Sequence, residues 1–269
     1  LEFRRVLFRS VGQPAPPAGQ RGRGPRIENS AIDPDGNLRP AYMARLERIL
    51  DRADQLGMVV ILGYFYFGQD ERVKDEAAVR NGVANATNWL LDRGYRNVMV
   101  EVANECNLNY DHAILKPPRI HELIEMVKGM RRGNRRLLVG TSWAGRNSAG
   151  RFDPGNLDTP VTPNVVAASD FLLLHGNGPN DAELLKKMIR ATRALPTYRT
   201  MPVINNEDPN FHFGDPSNHI LAALDEYVSW GYYDQGENNY SDGFQAPPVN
   251  WRINTDHKKQ FAAKVKGIT

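Results

Sequence analysis

Short apolar runs alternate with longer amphipathic segments along most of this chain. Residues 58–62 (MVVIL), for example, are apolar throughout, which is typical of a strand buried on both faces. Six such runs begin near residues 58, 98, 137, 171, 202 and 231, at intervals of 29 to 40 residues. The segments between them mostly carry apolar residues three and four positions apart, which predicts helices. Strands that alternate with helices indicate a parallel α/β fold.

The predicted helices end at residues that usually stop helices. Apolar residues recur three and four apart from Pro40 onward, and Gly57 stops this run. A second helical run is followed by Gly94. The predicted helices lie near residues 40–56, 76–93, 118–131, 181–194, 217–229 and 257–266. Residues 11–40 and 143–164 show no clear helical period, and we expect loops there.

The number of strands leaves two architectures open. A (β/α)8 barrel, or TIM barrel, has eight strands and about 250 residues, so six strands predict an incomplete α/β barrel. A complete doubly wound sheet is the competing architecture. The chain has neither G-x-G-x-x-G after a first strand nor a G-x-x-x-x-G-K-[ST] loop, which disfavours the nucleotide-binding versions of that sheet.

The first ten residues, LEFRRVLFRS, differ from the rest of the chain. They resemble the translation of a sequencing adapter, and a genuine basic strand is the alternative. We therefore expect residues 1–10 to be a non-native segment, residues 11–40 to be a loop of the barrel, and residues 41–269 to be a partial catalytic barrel. If an adapter precedes Val11, the natural coding sequence continues upstream.

The distribution of charge bears on the partners of the protein. The net charge is +3, but residues 1–26 hold six arginines and one glutamate, so the remainder carries −2. A near-neutral body disfavours a nucleic-acid partner. No apolar run reaches the roughly 20 residues of a membrane helix, which disfavours a membrane protein. The single cysteine, Cys106, excludes an internal disulfide framework.

Two of the predicted strands end in Asn-Glu. The run from residue 98 leads to Asn104-Glu105, and the run from residue 202 leads to Asn206-Glu207. In parallel α/β folds, chemistry gathers beyond the carboxyl ends of the strands. Glycoside hydrolysis needs a pair of carboxyl groups on either side of the scissile bond, and this edge of a barrel can supply them. Alternatively, each glutamate begins a helix, whose N-terminus stabilises a carboxylate.

These strand ends resemble those of the large clan of retaining (β/α)8 glycoside hydrolases that includes the cellulase-type enzymes. VEVANECN, with Glu105, is similar to the clan's fourth-strand Asn-Glu motif, and PVINNED, with Glu207, is similar to its seventh-strand nucleophile. FLLLHGN, with His175, is similar to the end of its sixth strand. Counted from these motifs, strands 3–8 of the barrel are present and strands 1 and 2 are missing.

The resemblance implies a glycosidase that acts on an oligosaccharide or polysaccharide. Glu105 would be the general acid/base, with its pKa raised by burial, and Glu207 would be the nucleophile. Asn104 would bind the sugar 2-hydroxyl, and His175 would form a hydrogen bond near the nucleophile. Sugar sites also need flat surfaces, which aromatic side chains beyond the strand ends can offer. The remaining candidates for substrate binding are Trp143, Tyr64, Tyr66, Asn206 and Tyr233.

The chain departs from the clan at two places, and other functions stay open. It carries Tyr232-Tyr233-Asp234 where the clan usually has a tryptophan, and Asp208 follows the expected nucleophile. A non-catalytic carbohydrate-binding or scaffold barrel and a TIM-barrel hydrolase of another class, such as a metal-assisted one, are the alternatives. We expect no cofactor and no metal site, since the spacing of His212 and His219 matches no strong ligand motif. The pattern leaves the oligomeric state and the localisation open.

Overall fold

The computed structural model describes residues 5–8, 30–145, 161–179, 181–209, 212–233 and 252–268. The strands are β1 (Arg5–Phe8), β2 (Val59–Tyr66), β3 (Val98–Asn104), β4 (Leu138–Gly140), β5 (Ser142–Trp143), β6 (Leu172–Leu174), β7 (Val203–Asp208) and β8 (Ser229–Tyr232). The helices are α1 (Pro40–Gln55), α2 (Glu76–Arg93), α3 (Ile120–Gly129), α4 (Pro163–Ala168), α5 (Ala182–Arg193), α6 (His219–Asp225) and α7 (Asp256–Ile268).

All six predicted strands are present, and the one near residue 137 is divided into β4 and β5 with only Thr141 between them. The six predicted helices are also present, although α6 is shorter than the expected 217–229. In the expected loop over 143–164, the short helix α4 begins at Pro163, and residues 146–160 lie outside the described part of the chain. The alternation of strand and helix read from the sequence is therefore confirmed.

Local sequence explains where several helices begin and end. Asp75 caps α2 by accepting a hydrogen bond from the Ala78 N–H at 2.8 Å, which satisfies a donor that the first helical turn leaves open. Gly94 ends the same helix with a φ of +81°, a left-handed conformation that glycine adopts without a steric penalty. Asp181 and Asn218 cap α5 and α6 in the same way as Asp75.

Every strand pairing in the described residues is parallel. The strands form two four-stranded sheets, in the orders β1-β2-β3-β4 and β5-β6-β7-β8. The two sheets follow one another through β4 and β5, so the carboxyl ends of the strands lie on one edge. No pairing among the described residues joins β8 to β1, so the barrel is not closed there. Strand β1 lies in the expected non-native segment, residues 1–10, and it pairs with β2 from Arg5 opposite Val59 onward.

The strands carry apolar residues on both faces, and the two faces pack against different neighbours. Ile61, Leu173 and Ile204, from β2, β6 and β7, meet in one group that we call the inner cluster, completed by Phe171 and bordered by Met99. Residues next to them in sequence, such as Val60, belong instead to the larger cluster that includes the helices. The sheet therefore has an inner face and a helix-covered outer face, as in a barrel.

None of the helices in the described part of the chain combines the length and the apolar character that crossing a bilayer requires.

Candidate functional site

Glu105 lies directly after β3 in an unusual backbone conformation. Its φ is +50°, in the left-handed region that residues with a side chain seldom adopt. The neighbouring strand β5 holds this bend through Ser142. The Glu105 N–H donates to the Ser142 hydroxyl at 2.6 Å, and the Cys106 N–H donates to the Ser142 carbonyl at 3.0 Å. Such a conformation persists when its surroundings over-determine it, which is common at active sites.

Glu207 lies near the end of β7, on the same edge of the fold as Glu105. The pairing of β7 with β8 is irregular between Asn205 and Asp208, and Glu207 lies inside this irregular stretch. Both glutamates are buried, and Glu105 is only 1% exposed. The two predicted catalytic residues therefore reach a common buried position from separate strands.

His175 follows β6 and lies between the two glutamates. Its Nδ1 atom is 2.9 Å from Glu105 Oε1 and 3.3 Å from Glu207 Oε2. One oxygen of Glu105, one oxygen of Glu207 and a ring nitrogen of His175 all lie within 4.8 Å of one another. The three predicted residues from β3, β6 and β7 thus form a single cluster, which we call the carboxylate site.

The electrostatic environment favours a protonated His175. Complete burial lowers the pKa of an imidazole, but the negative charges of Glu207, Glu105 and Glu101 outweigh that effect. The pKa of His175 is therefore raised above its ordinary value. Glu101 follows Met99 by two residues in β3, and because side chains alternate along a strand it lies on the same inner face.

Asn177 is a member of the carboxylate site that the sequence analysis did not assign. Its side-chain N–H donates a hydrogen bond to Glu105 Oε1, the oxygen that His175 also approaches. Ser142, which holds the Glu105 bend, was not assigned either. A signal for Asn177 existed, since it lies two residues beyond His175 in the same strand-end motif. The sequence holds no such signal for Ser142, because its hydrogen bond with Glu105 joins residues 37 positions apart.

The two asparagines that precede the glutamates are both buried. The Asn104 carbonyl accepts a hydrogen bond from the Tyr110 hydroxyl at 2.7 Å, which anchors the backbone at the end of β3. The Asn206 side chain has a buried carbonyl oxygen with no hydrogen-bond partner among the described residues. This oxygen is an acceptor that a ligand hydroxyl could satisfy.

Three of the aromatic candidates lie at the ends of strands. Trp143 is buried, and its carbonyl accepts a hydrogen bond from the His175 N–H at 3.0 Å, so it is next to the carboxylate site. Its indole N–H has no partner in the part of the chain that the structure describes. Tyr66 is half-buried, pairs in register with Asn104 and stacks on Phe67 with ring centres 4.4 Å apart. Tyr233 is half-buried at the last described position after β8.

Tyr64 is not brought to the carboxylate site. It is 1% exposed and belongs to the cluster between the sheet and the helices. Its hydroxyl lies 3.1 Å from the Thr87 hydroxyl of α2, which places it on the outer face of β2. Burial raises the pKa of the Tyr64 hydroxyl, as expected for a phenol enclosed by apolar neighbours.

Cys106 directly follows the expected acid/base and is fully buried. Burial raises the pKa of its thiol to about 12, although a hydrogen bond with Thr141 opposes the rise. A thiol with so high a pKa is not a ready nucleophile, because the thiolate is the reactive form. Cys106 is therefore a small buried residue of the core.

Two groups of side chains could hold a metal ion among the described residues. One is the carboxylate site itself, where Glu105, His175 and Glu207 each offer a ligand atom. The other combines Asp70 with the exposed residues Glu71 and Asp111. Acidic groups also gather without a metal ion, so the position of these atoms alone does not assign a metal.

No known family model matches the sequence, and a comparison with curated proteins gave no match. Among solved structures, the chain is similar to a native Bacteroidetes-affiliated GH5 cellulase linked with a polysaccharide utilization locus. The TM-score is 0.55 at 12% identity, over 85% of this chain and 75% of that one. It is also similar to an apo β-glucosidase named 1317, with a TM-score of 0.45 at 15% identity, over 75% of this chain and 71% of that one.

At such low identity, the likeness to the cellulase concerns the fold alone. The chain has the parallel α/β architecture found in TIM-barrel glycosidases, although the described residues do not close the barrel. This likeness favours a barrel-type arrangement over the doubly wound sheet that the sequence left open.

Proposed function

We propose that this protein is a retaining glycoside hydrolase, with Glu105 as general acid/base and Glu207 as nucleophile. The observation that carries the proposal is that one oxygen of Glu105 lies within 4.8 Å of one oxygen of Glu207. Retaining enzymes hold their carboxyl groups about 5–5.5 Å apart, whereas inverting enzymes need about 6.5–9.5 Å to admit a water molecule. An oxygen of each glutamate within 4.8 Å of the other fits the closer spacing, which favours the retaining mechanism.

The proposed reaction proceeds in two steps. In the first, Glu105 donates its proton to the glycosidic oxygen while Glu207 attacks the anomeric carbon, so the leaving group departs as an alcohol. In the second, Glu105 takes a proton from water, and the resulting hydroxide displaces Glu207 from the sugar. Because Asn177 donates to Oε1 of Glu105, the other oxygen is the one suited to carry the catalytic proton.

The surrounding residues support binding of a carbohydrate. The Asn206 carbonyl oxygen and the Trp143 indole N–H are buried and have no partner in the described residues, so a sugar hydroxyl can satisfy each of them. We assign Asn104 to the 2-hydroxyl, and Tyr66 and Tyr233 to the faces of sugar rings. We assign no sugar contact to Tyr64, because its hydroxyl is hydrogen-bonded to Thr87 of α2. We propose an oligosaccharide or polysaccharide as the substrate.

A panel of 4-nitrophenyl glycosides, beginning with the β-glucoside and β-cellobioside, tests the proposal. The wild-type protein should release nitrophenol from at least one glycoside, and NMR of the first product should show the anomeric configuration of the substrate. Glu105→Gln should lower turnover about 10²–10⁴-fold. Glu207→Ala should abolish turnover, and added azide should restore it with formation of the glycosyl azide of inverted configuration.

Other outcomes would favour the other functions. An inverted first product would refute the retaining mechanism. Turnover that survives Glu207→Ala unchanged would refute the assignment of the nucleophile. Binding of oligosaccharides without hydrolysis would favour a non-catalytic barrel. Exposed Asp225→Asn, on α6, is the matched control and should leave turnover unchanged.

A metal-assisted hydrolase is a second candidate, because the ligand atoms of Glu105, His175 and Glu207 lie so close together. Catalytic zinc sites commonly have three protein ligands and an open fourth position. Dialysis against a chelator separates the candidates. A retaining glycosidase keeps its activity, whereas a metal-assisted hydrolase loses it and regains it with added Zn²⁺.

A further inference from the structure

Asp208, the residue after the proposed nucleophile, is the centre of a buried hydrogen-bond network. It is completely buried, and its Oδ2 atom accepts from three donors. These are Asn205 Nδ2 at 2.8 Å, His219 Nδ1 at 2.8 Å and Trp230 Nε1 at 2.9 Å. The donors come from β7, the first residue of α6, and β8, so one carboxylate oxygen joins three elements.

The network extends from β7 to the end of β6 through Gly176. The Gly176 N–H donates to the Glu207 carbonyl at 2.8 Å and lies 3.1 Å from Asn205 Oδ1. A Cβ atom on Gly176 would lie 2.1 Å from Asp208 Oδ2, so the carboxylate occupies the space that a side chain would need. Gly176 follows His175, and the network therefore holds the backbone beside two members of the carboxylate site.

The irregular pairing of β7 explains why the neighbouring residues Glu207 and Asp208 contact different parts of the protein. Between Asn205 and Asp208 the register with β8 shifts. Glu207 approaches His175, while Asp208 bonds to His219 and Trp230. The Asp208 carboxylate thus joins the end of β7 to α6 and β8.

We propose that Asp208, together with His219 and Gly176, forms a positioning network that sets the distance of Glu207 and His175 from Glu105. The proposal rests on the proposed glycosidase function and deepens it. Asp208 touches no reacting atom, so it is a positioning residue. Its carboxylate acts through the β7 backbone on Glu207 and through Gly176 on His175. Catalysis is sensitive to such placement, because a shift of about 1 Å can cost about 100-fold in rate.

Kinetics on the glycoside that the wild type hydrolyses best test the network. Asp208→Ala should lower kcat about 100-fold and leave KM within about threefold, because the substrate contacts stay in place. Asp208→Asn keeps the shape and one acceptor oxygen, and should retain more activity than Asp208→Ala. Exposed Asp225→Asn is the matched control. Rates are expressed per folded molecule, measured by circular dichroism, so that lost stability is not counted as lost catalysis.

A second variant probes the contact between Gly176 and Asp208. Gly176→Ala should lower kcat by a similar factor, because its Cβ displaces the carboxylate. Adding Asp208→Ala removes the two atoms nearest that Cβ, Asp208 Oδ2 and Cγ, and leaves only the Asn205 Nδ2 atom at 2.8 Å, the movable end of a side chain. The double variant should therefore be little worse than either single variant. Gly129→Ala in α3 is the control, since a Cβ there meets nothing within 4 Å. Losses that multiply in the double variant would overturn the proposed contact.

An NMR measurement tests the network without any substrate. In protein labelled with ¹⁵N at histidine, Asp208→Ala should displace the ring resonances of His219, which bonds to Asp208, and also those of His175, which follows another strand. Gly129→Ala should displace neither. Unchanged His175 resonances, or an unchanged kcat in Asp208→Ala, would overturn the positioning role. If no glycoside is hydrolysed by the wild type, the proposed function fails, whereas displaced His175 resonances would still support the network.

Discussion

Replacing His175 with glutamine removes the imidazole that lies between the Glu105 and Glu207 carboxylates. When both glutamates are ionised, their oxygens within 4.8 Å then face each other without an intervening imidazole. At an effective dielectric constant of about 20, their repulsion is about 3.5 kcal/mol. This agrees with the cost of about 3–5 kcal/mol for removing one partner from a buried ion pair.

The size of this loss depends on pH, because a carboxylate can bind a proton instead of bearing the repulsion. Protonation costs about 1.4 kcal/mol for each pH unit above a glutamic acid's ordinary pKa of about 4.3. The free energy of unfolding of His175→Gln should therefore be lower than that of the wild type by about 1 kcal/mol at pH 5 and about 2 kcal/mol at pH 6. At higher pH the deficit should approach its limit of about 3.5 kcal/mol for as long as His175 holds its proton.

At alkaline pH the wild type loses the stabilisation that the protonated His175 ring provides. The pKa of His175 is raised in the folded state, so the stabilisation from the protonated ring is fully present below about pH 6.5. It is lost as the pH rises through the folded pKa. The difference in the free energy of unfolding between the wild type and His175→Gln should therefore decrease again once the pH exceeds the folded pKa of His175.

Urea unfolding followed by far-UV circular dichroism at pH 5, 6, 7 and 9 measures the deficit. His121→Gln is the control. The partner of the His121 ring, 2.9 Å away, is the neutral amide of Asn164 rather than a carboxylate, so its loss should not depend on pH in this way. A His175→Gln deficit that is equal at pH 5 and pH 7, or smaller than about 1 kcal/mol at pH 7, would refute the charge-based reasoning. In that case His175 would fill space without neutralising the carboxylates.

Two further predictions concern the core. Leu173→Ala, in the inner cluster, should lower the free energy of unfolding by about 2–5 kcal/mol, whereas Leu138→Ala, at a side chain 48% exposed, should cost under about 1 kcal/mol. Equal losses in urea unfolding would contradict the assignment of an inner face. Because its pKa is raised to about 12, Cys106 should resist iodoacetamide at pH 8 in the folded protein and react readily in urea. Mass spectrometry measures the labelling, and equally fast labelling in both states would contradict that burial.

Much of the candidate site could be predicted because parallel strands place their carboxyl ends on one edge. Glu105, His175 and Glu207 were each identified at the end of an apolar run, and the structure brings them together. Asp208 and His219 were noticed in the sequence, but their pairing was not predicted. Eleven positions separate them, and only the packing of α6 against the end of β7 brings them to 2.8 Å.

The order of strands and helices follows from the amino-acid pattern, since burial on both faces requires apolar runs and helices need a periodic apolar face. This pattern did not determine which face each strand residue occupies. Tyr64 lies beyond an apolar run like the other aromatic candidates, yet its side chain faces α2. Because both faces of a parallel strand are apolar, the pattern cannot distinguish inside from outside. That choice follows from the curvature and pairing of the sheet, which form only when distant parts of the chain pack together.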